Sequence, residues 1–282
     1  MTWRDVARGD LLHLRRSKMG WTVAGLMLLS TVGVAVTAFL MTLGGGSIPE
    51  VRVVLLFIAA IQVVLLPLVA LVGSYGAIVT ERKTGSVRFL LGLPNSRFDA
   101  YLGKLVSRTL LVAAPFTICL AAAWLFSVAV FDGLELVGFL AVLGWSLVYT
   151  VIAVGIGLTI SASVKTETRA VAGIAASMLL FGILWPLAQH FALIVHPTEF
   201  LEYPRPPKPS WYYAIGQLNP GVAYTRLVFG TFGEGTVIPL AAPNEPLGYA
   251  TTTALFAVLA LVGWFVVAPW LGYSLFRSVD LP

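Results

Sequence analysis

Charge is what this sequence has least of. Asp, Glu, Lys and Arg make up 11% of its 282 residues, and hydrophobic residues 58%; a soluble domain has about 25% and roughly 45–50%. The apolar surplus falls in six uncharged runs, 20–43, 53–80, 109–131, 136–162, 170–194 and 249–275. A hydrocarbon core about 30 Å thick is crossed by roughly 20 helical residues, so each run can span a bilayer. Buried helices of a large soluble protein are the alternative, but runs this long and this uncharged have no use there.

Other scarcities narrow the chemistry. The single cysteine, Cys119, excludes an internal disulfide and a multi-thiolate metal site; packing is its expected role. His190 and His196 point from different faces of a helix, and His13 falls on the other side of the membrane, so no metal or nucleophile constellation forms. Gly73-Ser74-Tyr75-Gly76 has the look of a serine-protease loop, yet no histidine lies at its depth. Gly103-Lys104 is not a phosphate loop, because Phe98 stands where glycine is needed and Leu105 where Ser or Thr is needed. The runs offer Gln62, Gln189, His190 and hydroxyls but no carboxylate or lysine, leaving little with which to harness an ion gradient. Catalysis and nucleotide hydrolysis by this chain are not expected. Nor is nucleic-acid binding, which needs a basic soluble module.

The charge that is present is unevenly placed. With the N-terminus inside, only Arg52, Arg205, Lys208 and Arg226 of the 18 Lys and Arg fall outside, while carboxylates divide almost evenly. That is the positive-inside bias, and it puts both termini in the cytoplasm. The first run ends in Gly-Gly-Gly-Ser rather than a small-x-small cleavage site, so it reads as a retained span; a cleaved signal peptide is the alternative. Before it, in 1–19, Trp3, Val6, Ala7, Leu11 and Leu14 recur at helical spacing with Arg4, Arg8 and Arg15 off the stripe. This pattern predicts an amphipathic interfacial helix, against the plainer reading of a frayed basic tail.

Within the spans, Pro67 and Pro115 predict kinks whose freed carbonyls find other partners. Gly155-Ile156-Gly157 and Ala172-Gly173 predict close helix packing. The outer loop 195–248 combines a proline-rich insert at 197–209 with the aromatic stretch 211–230. Asn219-Pro220 is a helix start, and Trp211, Tyr212 and Tyr213 suit the headgroup level, so one or two short helices dipping into the membrane edge are expected.

Residues 81–104, ERKTGSVRFLLGLPNSRFDAYLGK, interrupt the apolar pattern with Arg82, Lys83, Arg88, Arg97 and Lys104. Val87, Leu90 and Leu91 give a short helix an apolar stripe. Gly92-Leu93-Pro94 stops it, and Ser96 with Asp99 three residues on starts a second helix leading into span three. The product is a two-helix elbow, either an interfacial anchor on anionic lipid or a knob for a cytoplasmic partner. A plain connector needs only a few polar residues, so the two-helix build favours docking.

Glu81-Arg82-x-x-Gly85, Leu90-Leu91-x-x-Pro94 and Gly103-Lys104 together resemble the signature between spans two and three of type-two ABC exporter permeases. The resemblance extends over nearly the whole chain, including the N-terminal helix, six spans and the outer segment from Asn219-Pro220 to Tyr224 and Arg226. Within the family the chain is similar to the permeases of nitrous oxide reductase maturation, although the insert at 197–209 has no counterpart there. The resemblance implies an all-α integral membrane fold over 20–282 in a prokaryotic plasma membrane. It further implies a second permease subunit, copy or paralogue, and two cytoplasmic ABC ATPase subunits that use ATP and Mg; no cofactor is bound by this chain. By the same resemblance 81–104 is the coupling elbow, with Glu81, Arg82, Gly85, Arg88, Leu90, Leu91, Pro94 and Lys104 at or beside the ATPase contact. Their plainer roles are capping for Glu81 and snorkelling for Arg82 and Lys104. The rival readings are a gradient-driven or passive carrier and a non-transporting scaffold for an ATPase. The uncharged lining suits a lipid, a hydrophobic drug or peptide, or a small neutral species.

Overall fold

The computed structural model describes residues 2–15, 17–46, 48–84, 96–194, 210–232 and 247–278. The expected first elbow helix, with Gly85, Arg88, Leu90, Leu91 and Pro94, and the proline-rich insert at 197–209 lie outside the described residues. In chain order the helices are α1 (Trp3–Arg15), α2 (Lys18–Leu43), α3 (Val51–Ser74), α4 (Gly76–Thr84), α5 (Arg97–Val130) and α6 (Leu136–Ser163). They continue with α7 (Glu167–Leu179), a π turn (Leu180–Leu184), α8 (Trp185–Ile194), α9 (Ser210–Gln217), α10 (Pro220–Thr231) and α11 (Leu247–Ser278). Among the described residues, six helical stretches are long and apolar enough to cross a membrane: α2, α3 with α4, α5, α6, α7 through α8, and α11. They match the six uncharged runs one for one.

Helix starts follow local side-chain chemistry. The hydroxyls of Ser17, Ser96 and Thr166 accept the amides of Gly20, Asp99 and Arg169, capping α2, α5 and α7. Asn219 caps α10 with Pro220 in its first turn, as the sequence predicts. Gly45, at φ 87°, takes the left-handed turn that ends α2.

Hydrocarbon gives helices no hydrophobic reason to associate, so packing depends on close approach. A Cβ on Gly155 would lie 3.0 Å from the Pro269 ring of α11, one on Gly157 2.8 Å from Ser74 of α3, and one on Gly173 2.6 Å from Ile160. The small-residue clusters therefore act as packing surfaces. Outward, Leu29, Phe57, Ile118, Val137 and Trp270 are each more than half exposed, a belt that only lipid could cover without penalty. The carbonyl freed by Pro67 is that of Val63, and the Tyr149 hydroxyl of α6 donates to it at 3.2 Å.

The second elbow helix leads into span three, as expected: it is the start of α5, whose 34 residues run about 51 Å, well beyond the hydrocarbon thickness. One expectation is revised: the apolar stripe of α1 is covered by protein. Ala7 and Leu14 are buried, and Gly103 of α5 approaches so closely that a Cβ there would meet Val6 at 2.7 Å and Trp3 O at 2.9 Å. The projecting start of α5 offers α1 an apolar face, and Gly103 lets the backbones meet. At the tip of α1 the Thr2 amide donates to Asp5 Oδ2 at 2.8 Å, which holds that carboxyl below the ordinary carboxylate range. Gly103→Val should overpack this seam by about 1–3 kcal/mol. Amide exchange of residues 3–15 should then rise while the spans stay protected, as hydrogen-exchange mass spectrometry in nanodiscs would measure.

Candidate functional site

Hydrogen bonds draw the segments with the expected inner loops to one end of the bundle. Trp3 N donates to Asp99 Oδ1 at 3.2 Å, Arg97 Nη1 bonds Arg277 O, and Lys83 stands 3.8 Å from Glu167. The opposite end gathers the segments expected outside: Val51 N donates to Asp132 O at 3.1 Å, and Arg52 bonds Phe232 O.

At the charged end, α4 is a nine-residue piece set off from α3 by a one-residue interruption at Tyr75. The Gly-Ser-Tyr-Gly stretch thus marks a break in the span, and Ser74, fully buried, donates back to Ala70 O at 2.6 Å. Neighbouring helices serve the backbone groups around the break. Arg108 Nη1 of α5 donates to Gly73 O at 3.0 Å. Ser161 Oγ of α6 accepts from the amides of Ile78 and Val79 at 3.0 and 3.1 Å. Arg108 is held in turn by Asp10 of α1 at 3.0 Å, and Ser107 bonds the other Asp10 oxygen.

The far end of α4 is clamped by charge. Lys104 Nζ pairs with Glu81 Oε1, with the lysine side chain 2% exposed and the glutamate 26%. Arg82 Nη2 donates to Ala162 O at 3.0 Å and Nη1 to Val164 O at 3.4 Å, at the carbonyl end of α6 where the helix dipole favours a cation. The Arg82 guanidinium, which proteins do not deprotonate, stays charged there. Lys104 therefore does not snorkel. It turns inward because α4 returns beside α5 and presents a carboxylate. Lys83 and Glu167 form a looser, mostly exposed pair of little energetic weight.

Of the residues named from sequence, the structure brings Glu81, Arg82 and Lys104 together across the two roots of 85–95. The other five lie outside the described residues. Sequence reading missed Asp10, Arg108 and Ser161. Arg108 was legible only as one more inner cation, and Asp10 as a carboxylate between the apolar positions of α1. Among the described residues no group of three His, Cys, Asp or Glu side chains could hold a metal ion.

The ion pair is asymmetric, and so is its expected response to mutation. Glu81→Ala leaves a buried ammonium without its carboxylate and should cost about 3 kcal/mol. Lys104→Met leaves a carboxylate on a side chain that is only partly buried and should cost less, and the Glu81→Gln/Lys104→Met double variant should recover most of the loss. Thermal melting of the purified protein in one detergent checks the order.

Comparison with known proteins agrees with this architecture. The family model described as ABC-2 family transporter protein matches residues 4–281. The probable ABC transporter permease protein NosY of Stutzerimonas stutzeri is 26% identical over 288 residues, covering 97% of each chain. The protein of the same description from Pseudomonas aeruginosa is 27% identical over 282 residues, covering 96% of each. Six apolar helices, a charge-clamped end and a family match along almost the whole chain lead to one conclusion: this protein belongs to the ABC-2 family of transporter permeases.

Proposed function

We propose that the chain is the membrane-spanning subunit of an exporter driven by separate cytoplasmic ATPase subunits, with 81–104 as the element that receives their motion. The observation that carries this reading is the clamp on both roots of 85–95. Glu81 joins the incoming root to the outgoing one through Lys104, and Arg82 joins it to the end of α6. A displacement of the intervening segment would thus move α4, α5 and α6 as one body rather than flex a loop. Lys104, being buried, supports the contact; Arg88 and its neighbours would make it. The active unit pairs this subunit with a second permease, a copy or a paralogue, and two ATPases that bind ATP and Mg.

The charged end faces the cytoplasm on this reading, because phosphate-rich headgroups and the positive-inside bias both favour it. The substrate is a neutral or lipophilic species, matched to spans without ionised side chains. The description of the relatives as probable ABC transporter permease proteins supports the permease part of this reading.

In a Cys119→Ser background, Arg88→Cys should crosslink to the ATPase subunit encoded alongside the permease. The purified complex should also hydrolyse ATP in nanodiscs. Replacing Glu81 and Arg82 together by Gln should lower that ATPase activity at least tenfold while the permease still folds. An extract in which the tagged permease captures no nucleotide-binding subunit, or variants with undiminished activity, would sink the proposal.

A further inference from the structure

The fifth span is the least covered of the six and is not a continuous α-helix. In the π turn Leu180–Leu184, the Trp185 amide donates to Leu180 O, one residue further back than in an α-helix. The next residue is Pro186, which has no amide hydrogen. Phe181 O therefore loses both helical donors: the amide four residues on serves Leu180, and the residue five on has none to give. At membrane depth no water replaces them.

Asn219 supplies the missing donor. Its Nδ2 gives a hydrogen bond to Phe181 O at 2.6 Å, while its Oδ1 accepts from Gly221 N at 2.9 Å as the cap of α10. The side chain is 2% exposed, so both bonds are shielded. An ionised Asp could cap α10 equally well but has no hydrogen for Phe181.

Asn219 stands at the joint between two outer helices with different attachments. Helix α9 hangs from the fifth and sixth spans. Gln189 Nε2 donates to Tyr212 O at 2.9 Å, Trp185 Nε1 to Ile215 O at 3.1 Å, and Trp264 Nε1 of α11 to Leu218 O at 2.8 Å. Helix α10 is held by α6, where Tyr224 and Ser146 share a hydrogen bond of 2.9 Å and the Tyr224 ring stacks on Tyr149 at 4.9 Å.

We propose that Asn219 is a latch tying the outer helix pair to the π turn of the fifth span, and that transport makes and breaks it. The step is a one-residue change of pairing. If the Trp185 amide returns to Phe181 O, as in an α-helix, Asn219 is released, and the carbonyl left without a donor by Pro186 becomes Gly182 O. The switched pairing leaves Gly182 O without a donor and Asn219 without its acceptor, so the latched pairing holds one more hydrogen bond, and a shift of the neighbouring helices must offset that bond for the latch to open. The latch stands on the geometry alone; its opening and closing rest on the transporter reading above.

The latch is tested on the permease alone in nanodiscs, by hydrogen exchange of residues 180–191 and 210–218. Asn219→Asp keeps the cap and removes the donor, so exchange in both segments should rise about tenfold, the scale of one lost buried hydrogen bond. Pro186→Ala restores an amide for Phe181 O, and adding it to Asn219→Asp should return exchange to within about twofold of Pro186→Ala alone. Wild-type exchange in Asn219→Asp, or a double variant as perturbed as Asn219→Asp, overturns the latch whether or not an ATPase partner is found. Its switching is tested on the ATPase complex with and without ATP. Exchange at 180–191 should change in the wild type and stay fixed in Pro186→Ala; an ATP-independent wild type overturns the switching.

Discussion

A backbone group that leaves the helical ladder inside a bilayer has no water to turn to, and the assembly of this bundle is organised around that constraint. Among the places where the ladder is disturbed are Pro67, the break at Tyr75 and the π turn before Pro186, and at each of these a side chain from another segment steps in. Tyr149 serves the carbonyl freed by Pro67, Arg108 and Ser161 serve the break around Tyr75, and Asn219 serves the π turn before Pro186. Each donor is thereby held in register with the defect it repairs. Apolar contact cannot do this in lipid, where one hydrocarbon surface is as good as another. Glycines at 155, 157 and 173 bring the backbones close; the repaired breaks decide which residue meets which.

The charged end obeys a related rule. Burying the Lys104 ammonium is unfavourable, and its pairing with Glu81 offsets that cost without making the pair a strong source of stability. Its value is geometric. An isolated loop between two spans would leave the ends of α4 and α5 free to slide, whereas a buried pair has one arrangement and a high cost for leaving it. The two Arg82 hydrogen bonds add a third point, on α6, and Arg108 with Asp10 brings α1 into the same frame.

How much of this could be read from residues alone follows from what repeats and what does not. Six uncharged runs announce six spans, and Ser96 with Asp99 announces the start of α5, because both are local patterns. The partition of loops between two ends follows from the cation count. The partners of Arg108, Ser161 and Lys104 do not, since each bond joins residues 23 to 98 positions apart and a single hydroxyl or cation has no period. The stripe on α1 was legible as apolar but not as protein-facing: the sequence cannot distinguish lipid from a helix that overshoots the membrane, and it is the length of α5 that decides. Pro186 went unread although it carries the same signal as Pro67 and Pro115, and that Asn219 would answer it depended on where the chain returns after 195–209.

Helix α6 connects the two ends of this arrangement. At one end of it Ser161, Ala162 and Val164 hold α4, and near its middle Ser146 and Tyr149 hold α10. From Ser146 to Ser161 the ladder runs 15 residues without a proline, about 22 Å. Such a helix bends little, so on the proposed function a push at the elbow would reach the outer helices as a shift of α6. The fifth span differs in that its π turn lets it change pairing. One stiff member and one compliant member, joined through α10 and Asn219, form an arrangement in which a small rigid-body shift has a definite place to be absorbed.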